Sequence, residues 1–300
     1  MGRKISLFIV LAIFLGFHIG IAQNGISDEN DLDASMFWKS TGEYVHHVES
    51  EKGDLYTKLG HHGPAIENLW VAYRVYFNEF GGVDIFSKFH PRLELKETKW
   101  YPSKTQRAEG YGSDNYQAGK TTGLGGVKLW DGNDFQNLGP VDKRTAEIIL
   151  NDSIAQIRMT SYAIPYQDSW VDIQFTLTTL ANSRHAVIEV RELNGKSVQF
   201  VTGMPIHSEL KMEYAENYVV AWGDYNSHEK HAVFNLGTAL IYEINQFQRN
   251  LTTDKEFLLV SKPTPYLKYW VTSANEKEHS DLNTYEAFEN YVQQLQKSLH

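Results

Sequence analysis

Short runs in which apolar and polar residues alternate recur along most of the chain, and this pattern most constrains the fold. In VAYRVYFN, the odd-numbered residues from Val71 to Phe77 would share one face of a strand, and Arg74, Tyr76 and Asn78 the other. Other candidate strands are GVDIFSKF, LELKETKWY, RTAEIIL, IAQIRMTSYAI, WVDIQFTLTTL, HAVIEVREL, SVQFVTGM, NYVVAWG, HAVFNLGTALIYE and EFLLVSK. Gly, Asn, Asp and Pro separate these runs, which favours an antiparallel sandwich or barrel.

The domain organisation follows from what is missing between the strands. No repeat of fixed period is visible, and no Pro- or Ser-rich linker follows residue 60. We therefore expect a single all-β catalytic domain over residues 55–300, of the large antiparallel β-sandwich type, resembling a supersandwich. One domain of this class can reach that size.

One convincing helix is predicted at the C-terminal end of the chain. Asn283 and Glu286 have the spacing of an Asx-type capping box. The apolar residues that follow have helical spacing, at Tyr285, Phe288, Val292, Leu295 and Leu299. We expect this helix to pack on the periphery of the sandwich.

The N-terminal segment has the features of a signal peptide. Arg3 and Lys4 precede the apolar run Ile5–Phe17, and Gly20–Ala22 supplies small residues where a signal peptidase cleaves. We predict that residues 1–22 are removed. The alternative is an uncleaved membrane anchor, for which the apolar run is short.

The composition of the chain restricts its cellular location and the partners that it can bind. The formal net charge is −9 at pH 7, which argues against general nucleic-acid binding. The chain has no cysteine, which excludes thiol nucleophiles, thiolate metal sites and disulfides. A periplasmic or secreted protein, with no membrane span after signal cleavage, fits best. Residues 23–54 are polar, and we expect a loosely packed lead-in there.

No cofactor motif is present. The chain lacks a Walker loop, a nucleophile elbow and an H-E-x-x-H zinc motif. GLGG at residues 123–126 lacks the flanking βα pattern of a dinucleotide fingerprint, so we interpret it as a tight turn before the strand VKLW. We predict neither a cofactor nor a metal.

The sequence GHHGP supplies the first candidates for chemistry. Pro64 restricts Gly63 and would hold His61 and His62 at the entrance to the strand that begins near Val71. An imidazole with a pKa near neutrality can remove or donate a proton. The alternative is a pair of surface histidines.

Arg74 and Tyr76 are the second candidates, because they would share the polar face of a strand. Arginine can bind a carboxylate through two donors, and tyrosine can donate a hydrogen bond. The alternative is an Arg74–Asp84 ion pair across the hairpin. The two roles can coexist.

A Gly-rich stretch from Lys99 to Asp134 supplies the third cluster. Its chemically active side chains include Lys99, Tyr101, Tyr111, Asp114, Tyr116, Lys120 and Trp130. A long connection with this content is typical of a functional loop, and aromatic rings with cations suit a sugar-acid site. Lys99 and Tyr101 would share a strand face. His207, beside Pro205, could meet these residues across the sheet.

Several of these segments resemble one known family. They are GHHGPAIENLWVAYRVYF, GVDIFSK, LELKETKWYP, YQAGKTTGLGGVKLWDG, VQFVTGM, YVVAWG and YWVTSANE. They look like a secreted bacterial family of polysaccharide-utilisation systems, long designated only as a domain of unknown function, and the likeness covers residues 55–297. The family includes an ulvan oligosaccharide dehydratase. The resemblance implies removal of water from a terminal glucuronic acid, which leaves a 4,5-unsaturated uronyl end.

That reaction is an elimination next to a carboxylate. The site must neutralise the carboxylate, remove the C5 proton and protonate the leaving hydroxyl. We expect the catalytic residues to be His62, Arg74, Tyr116 and Lys120. We expect the substrate-binding residues to be His61, Tyr76, Lys99, Tyr101, Trp130 and His207. The expected partner is an acidic, uronic-acid-containing oligosaccharide, with or without sulfate groups.

Two other functions stay open at this point. An exo-acting polysaccharide lyase uses the same elimination with a sugar as the leaving group. A noncatalytic sugar-binding β-sandwich would use exposed tryptophans as stacking platforms, and the candidates are Trp70, Trp100, Trp130 and Trp170. Glycoside hydrolysis is less well supported, since no pair of carboxylates is marked out.

Overall fold

The structure is a computed structural model, and it describes residues 31–225 and 233–299. The predicted signal peptide, residues 1–22, lies outside the described residues. Within the described ranges, no helix combines the length and the apolar character needed to cross a membrane.

Strands dominate the described residues. In chain order they are β1 (Leu32–Ser35), β2 (His47–Ser50), β3 (Ala65–Asn68), β4 (Val71–Val75), β5 (Val83–Ser87), β6 (Val127–Trp130), β7 (Phe135–Gln136), β8 (Lys143–Leu150), β9 (Ile154–Tyr166), β10 (Ser169–Leu180), β11 (Ala186–Glu192), β12 (Phe200–Pro205), β13 (Lys211–Tyr214), β14 (Tyr218–Gly223), β15 (Leu236–Ile241), β16 (Phe247–Thr252), β17 (Glu256–Ser261) and β18 (Tyr266–Asn275). The helices are α1 (Leu95–Thr98), α2 (Lys104–Ala108) and α3 (Tyr285–Leu299), with 3₁₀ turns at Gly60–His62 and Ile244–Gln246.

The strands form three antiparallel sheets. The largest has the order β13-β14-β15-β18-β11-β10-β9-β8-β2. A four-stranded sheet has the order β1-β3-β4-β5, and a five-stranded sheet has the order β16-β17-β12-β6-β7. The predicted all-β class with large antiparallel sheets and one C-terminal helix is confirmed.

One continuous apolar core joins the three sheets. Tyr73 of β4, Phe175 of β10, Ile188 of β11 and Phe200 of β12 all belong to it, and all are buried. In β8 and β11 buried and more exposed residues alternate, as expected for strands with one face on a core. The nine-stranded sheet therefore packs against the two smaller sheets.

Helix α3 covers the outer face of the nine-stranded sheet. Phe288, Val292 and Leu295 lie on one side of the helix and join a second apolar cluster with Trp222 and Trp270. The Thr284 hydroxyl accepts a hydrogen bond from the Ala287 N–H at 3.2 Å. The observed cap is therefore one residue later than the predicted Asn283, and the helix is peripheral as predicted.

The polar lead-in is more ordered than the sequence pattern predicts. Within residues 23–54, β1 is buried along its whole length and pairs with β3, and β2 pairs with β8. Apolar residues in the segment explain this difference, because Leu32, Ala34 and Val48 all enter the core. Residues 32–50 are therefore part of the sandwich.

The segment LELKETKWY was wrongly predicted to be a strand. It contains α1, because the buried Glu67 carboxylate accepts the backbone N–H groups of Glu94 at 2.9 Å and Leu95 at 2.8 Å. Lys88 holds that carboxylate in place and also donates to the Arg92 carbonyl at 2.8 Å. Lys99 ends the helix in the left-handed conformation, with φ of 50°. Lys99 and Tyr101 consequently do not share a strand face.

Candidate active site

Arg74 lies at the centre of the candidate site. It stands directly opposite Asp84 in the β4–β5 register, and its side chain is 4% exposed. Its Nε donates to Asp84 Oδ2 at 2.8 Å, and its Nη2 donates to the same oxygen. The ion pair across the hairpin is confirmed. The donors expected to bind a substrate carboxylate as a fork are thus largely taken by Asp84.

Aromatic rings surround the Arg74 guanidinium. Its carbon lies 4.4 Å from the centroid of the Trp100 ring and 5.7 Å from that of Tyr101. Nη1 donates to the Tyr101 hydroxyl at 2.9 Å, which leaves one Nη1 N–H without an acceptor among the described residues. Nη2 also reaches the Tyr76 hydroxyl at 3.3 Å, and Tyr76 itself donates to Asp84 at 2.6 Å. The arginine therefore keeps one donor for a ligand.

Asp114 is a second carboxylate beside the same arginine. Its Oδ2 lies 3.5 Å from Arg74 Nη2. Burial raises the pKa of Asp114 to about 7; the Arg74 charge opposes this rise, and the Asp84 carboxylate adds to it. One guanidinium cannot fully compensate two buried carboxylates. Near neutral pH, both protonation states of Asp114 are therefore populated.

His62 is held in a defined tautomer at the wall of the cleft. Its Nδ1 donates to the Tyr56 carbonyl at 2.9 Å, since a carbonyl can only accept, and its ring stacks on Tyr56 at 4.1 Å. Burial lowers the pKa of His62, and the hydrogen bond to Tyr56 opposes that shift. In the neutral imidazole, Nε2 carries a free lone pair. No described residue binds this nitrogen, so His62 has the form of a general base.

The backbone around His62 explains its position. His62 has φ of 61°, in the left-handed region that few non-glycine residues adopt, and its carbonyl accepts the Phe77 N–H at 3.0 Å. Gly63 passes so close to β4 that a Cβ would lie 2.0 Å from the Val75 carbonyl oxygen. Only glycine fits at this approach, and it allows the GHHGP segment to pack against the strand that carries Arg74.

These side chains line one cleft with a cavity volume of about 390 Å³. That volume is within the range of small-molecule sites. The residues that line it are Tyr56, His62, Arg74, Tyr76, Tyr101, Asp114, Tyr116, Gln117, Ala118 and Gly119. The rings of His62 and Tyr101 lie 6.4 Å apart, centroid to centroid. The Tyr116 hydroxyl is buried and has no hydrogen-bond partner among the described residues.

The structure brings five of the predicted site residues to this cleft. They are His62, Arg74, Tyr76, Tyr101 and Tyr116. Lys120 and His207 line a neighbouring cleft of about 790 Å³, which shares Gln117, Ala118 and Gly119 with the first.

Three other predicted site residues line neither cleft. His61 is buried behind the site, with its Nε2 at 2.8 Å from the Ser35 hydroxyl and its ring against Phe37. Lys99 is exposed beside Phe37, because the helical turn before it redirects the chain. Trp130 lies on β6, and Arg249 covers its ring at 4.2 Å.

The tryptophans give little support to a set of stacking platforms. Trp100 is fully buried under Arg74, and Arg184 covers Trp70 at 4.6 Å. Trp170 is 59% exposed, at the start of β10. Of the four candidates, Trp170 alone presents an open ring among the described residues.

Sequence reasoning missed two members of the site. Tyr56 lies in a segment assigned no role, and Asp114 was noted in the Gly-rich stretch without a function. The position of Asp114 is set by its neighbours in the chain, because Ser113 forms backbone hydrogen bonds with Ser87 of β5 and Gly112 packs against the Ser87 carbonyl. Among the described residues, no cluster of three or more His, Asp or Glu side chains is arranged to hold a metal ion.

The fold and the site define a large antiparallel β-sandwich protein with a partly buried arginine–carboxylate–tyrosine cleft. The chain belongs to the family described as a domain of unknown function, DUF4861, whose model matches residues 23–300. No curated protein sequence matches the chain.

Three solved structures show distant similarity. A protein assigned as an aldose 1-epimerase from Klebsiella pneumoniae is 10% identical, with a TM-score of 0.41, covering 88% of this chain and 96% of that chain. A 4-alpha-glucanotransferase from Thermococcus litoralis is 10% identical, with a TM-score of 0.35 over 71% of this chain and 37% of its own. The heparan sulfate lyase HepC from Pedobacter heparinus is 11% identical, with a TM-score of 0.34, covering 71% of this chain and 33% of its own chain. At these sequence identities and TM-scores, none of the three structures assigns an activity to this chain.

Proposed function

We propose that this protein is a carbohydrate-active dehydratase that removes water from glucuronic acid at the non-reducing end of ulvan-type oligosaccharides, in the periplasm or outside the cell. The proposal joins the family resemblance to the geometry of the cleft. The observation that carries it is a neutral imidazole with a free nitrogen, His62, across the cleft from a tyrosine hydroxyl, Tyr101, whose proton is not donated to any described residue.

His62 is the base of the proposed reaction. Its Nε2 takes the C5 proton, the C5–H electron pair forms the C4–C5 double bond, and the C4–O bond breaks. A general base of this kind typically contributes about 10²–10⁴-fold in rate. The stacked Tyr56 ring and the hydrogen bond to its carbonyl fix the orientation of the imidazole.

Tyr101 is the acid of the proposed reaction. Its hydroxyl accepts from Arg74 Nη1 and so keeps its own proton for the departing oxygen, which leaves as water. Burial raises the pKa of Tyr101, and the Arg74 charge opposes that rise, so the phenol stays protonated near neutral pH. Tyr116, expected to be catalytic, has a buried hydroxyl suited to binding a substrate hydroxyl.

Arg74 and Asp114 together receive the uronate carboxylate. Arg74 is the one cationic side chain among the described residues that line this cleft, and Asp84 already neutralises much of its charge. An ionised Asp114 would repel the substrate carboxylate. In the protonated form it donates a hydrogen bond instead, and the uronate raises its pKa further. The remaining Arg74 Nη1 donor then stabilises charge that builds on the carboxylate during elimination.

The test is an absorbance assay with purified protein and glucuronic-acid-ended oligosaccharides. The conjugated double bond of the product absorbs in the ultraviolet, and we expect that absorbance to grow with time. His62→Asn is the matched variant, because asparagine tolerates the left-handed backbone and can still donate to the Tyr56 carbonyl. It should bind the oligosaccharide in calorimetry and produce little signal. Binding without any absorbance change from the unmodified protein would identify a sugar-binding module instead.

A further inference from the structure

The second cleft adjoins the proposed active site and is about twice its volume. The two clefts share Gln117, Ala118 and Gly119 as a common wall. Besides Lys120 and Thr121, the lining comes from the end of β12 and the loop after it, from the residue after β14, and from the start of β17 with the loop before it. It includes Pro205, Ile206, His207, Asp224, Asp254 and Glu256. An oligosaccharide whose end enters the first cleft therefore has the second cleft beside its following sugars.

Fixed polar groups line this second cleft. Glu256 is held by Lys128 Nζ at 2.7 Å and by the Thr122 N–H at 2.5 Å, so its carboxylate has a set position. His207 Nε2 is buried without a hydrogen-bond partner among the described residues. A buried nitrogen without a partner costs free energy, and a ligand hydroxyl at the cleft would remove that cost.

An aromatic stack connects the two clefts physically. The His207 ring packs edge-on against Tyr225 at 5.4 Å, and Tyr225 packs against Tyr116 at 4.8 Å. Tyr225 is anchored by its hydroxyl, which lies 2.5 Å from the Thr238 hydroxyl. Tyr116 lines the first cleft and His207 the second, so one rigid support sets the distance between the two sites.

We infer that the second cleft binds the sugar residue linked to the terminal uronic acid, mainly through that sugar's hydroxyl groups. This inference rests on the proposed function. Lys120 and Lys255 lie on this cleft together with Glu209, Asp224, Asp254 and Glu256, so the charges are mixed and do not select an anion alone. Carboxylates accept hydrogen bonds from hydroxyls, an imidazole can accept or donate them, and Pro205 and Ile206 offer an apolar surface to a pyranose ring. Lys120, expected to be catalytic, is thereby assigned to substrate binding.

The test compares a uronic-acid-ended oligosaccharide with methyl glucuronide, which lacks the second sugar. The unmodified protein should turn over the oligosaccharide with the higher kcat/KM. His207→Phe keeps the ring packing on Tyr225 and removes the nitrogen. It should lower kcat/KM for the oligosaccharide by about tenfold, which corresponds to about 1.4 kcal/mol, and leave methyl glucuronide unchanged. Glu213→Gln on β13, outside both clefts, is the control for both substrates.

The outcomes separate the two claims. Equal kcat/KM for both substrates in the unmodified protein, or an equal loss on both in His207→Phe, overturns the second-cleft inference and leaves the reaction standing. If the unmodified protein shows no elimination, calorimetry with the same two sugars still tests the cleft, and tighter His207-dependent binding of the oligosaccharide supports it. If His207→Phe does not fold, Lys120→Ala carries the same prediction, because that side chain is exposed.

Discussion

Arg74 and Asp84 face each other across β4 and β5, and the carboxylate occupies two donor groups of the guanidinium. The pair is almost fully buried. It orients the arginine so that Nη1 points to Tyr101 and a single donor remains for a ligand. The structural role of Arg74 and its proposed catalytic role thus use different nitrogens of one side chain.

Arg74→Ala should both destabilise the protein and reduce turnover. Loss of one partner of a buried ion pair typically costs about 3–5 kcal/mol. Loss of one charge-stabilising donor typically costs about 10²–10³-fold in kcat. Urea unfolding curves and kcat of the folded fraction measure the two effects separately. Arg74→Lys is the control: it keeps the charge beside Asp84 and should recover more stability than activity. A folded Arg74→Ala protein with normal kcat would show that the arginine only braces Asp84.

His62→Asn should lower kcat by about 10²–10⁴-fold with little change in stability, since it removes the base and keeps the backbone conformation. Kinetics and a melting curve on the same preparation check this prediction. His207→Phe is the histidine control and should keep kcat with methyl glucuronide. If His62→Asn retains most of its turnover, another group removes the proton.

The raised pKa of Asp114 leads to a prediction for how kcat/KM of the proposed reaction depends on pH. His62 must be neutral, which holds above its lowered pKa, and Asp114 must be protonated, which holds below about 7 in the free protein. Activity in kcat/KM should therefore peak on the acidic side of neutrality and fall as pH rises through the Asp114 pKa.

Asp114→Asn should remove that alkaline decline, because an amide cannot ionise. The groups that face Asp114 are Arg74 and Asp84, with Trp100 and Tyr101 beside the same guanidinium. None of them changes in this variant. An unchanged alkaline limb in Asp114→Asn would assign that limb to a different group.

The buried His61 should make the protein more stable as pH rises, whereas the raised pKa of Asp114 should make it less stable as pH rises. Burial lowers the pKa of His61 to about 3, with the Arg74 charge as the next cause. Below the ordinary value near 6.5, the unfolded chain takes up a proton that the folded protein excludes. The contribution of neutral His61 to the free energy of unfolding is therefore complete above about pH 6.5. It is lost as pH falls toward 3, by about 1.4 kcal/mol per pH unit.

The raised pKa of Asp114 works against His61 between about 4 and 7, so the comparison must be between variants. His61→Gln can still reach Ser35 and should lose the His61 contribution to the slope of unfolding free energy against pH. Its constant cost from the left-handed backbone does not alter that slope. Parallel slopes for His61→Gln and the unmodified protein would mean that His61 titrates normally.

The sequence predicted the parts of this molecule that depend on local pattern. Alternation placed Arg74 on the face opposite Tyr73 and paired it with Asp84, and both are observed. The prediction that GHHGP holds His62 at the entrance to the strand beginning near Val71 is wrong, because the His62 carbonyl accepts the Phe77 N–H, beyond the opposite end of β4. The α3 pattern predicted a peripheral helix, and α3 packs through Phe288 and Val292 on the outer face of the sheet.

Features set by long-range contacts could not be predicted in this way. The helical turn at Leu95–Thr98 exists because Glu67, far away in sequence, caps it. Asp114 reaches Arg74 because its loop docks on β5, where a Cβ at Gly112 would lie 1.9 Å from the Ser87 carbonyl oxygen. Such docking depends on which backbone groups meet in space, and no periodic pattern encodes it.

The decisive experiment for the proposed dehydration is to measure the mass of the product from a defined glucuronic-acid-ended oligosaccharide. We expect a product of the same chain length that is lighter by one molecule of water, formed by the unmodified protein and not by His62→Asn. Release of a shorter chain with an unsaturated end would identify a lyase and contradict dehydration. An unchanged substrate mass after prolonged incubation with folded protein would contradict the proposed catalytic function for this substrate.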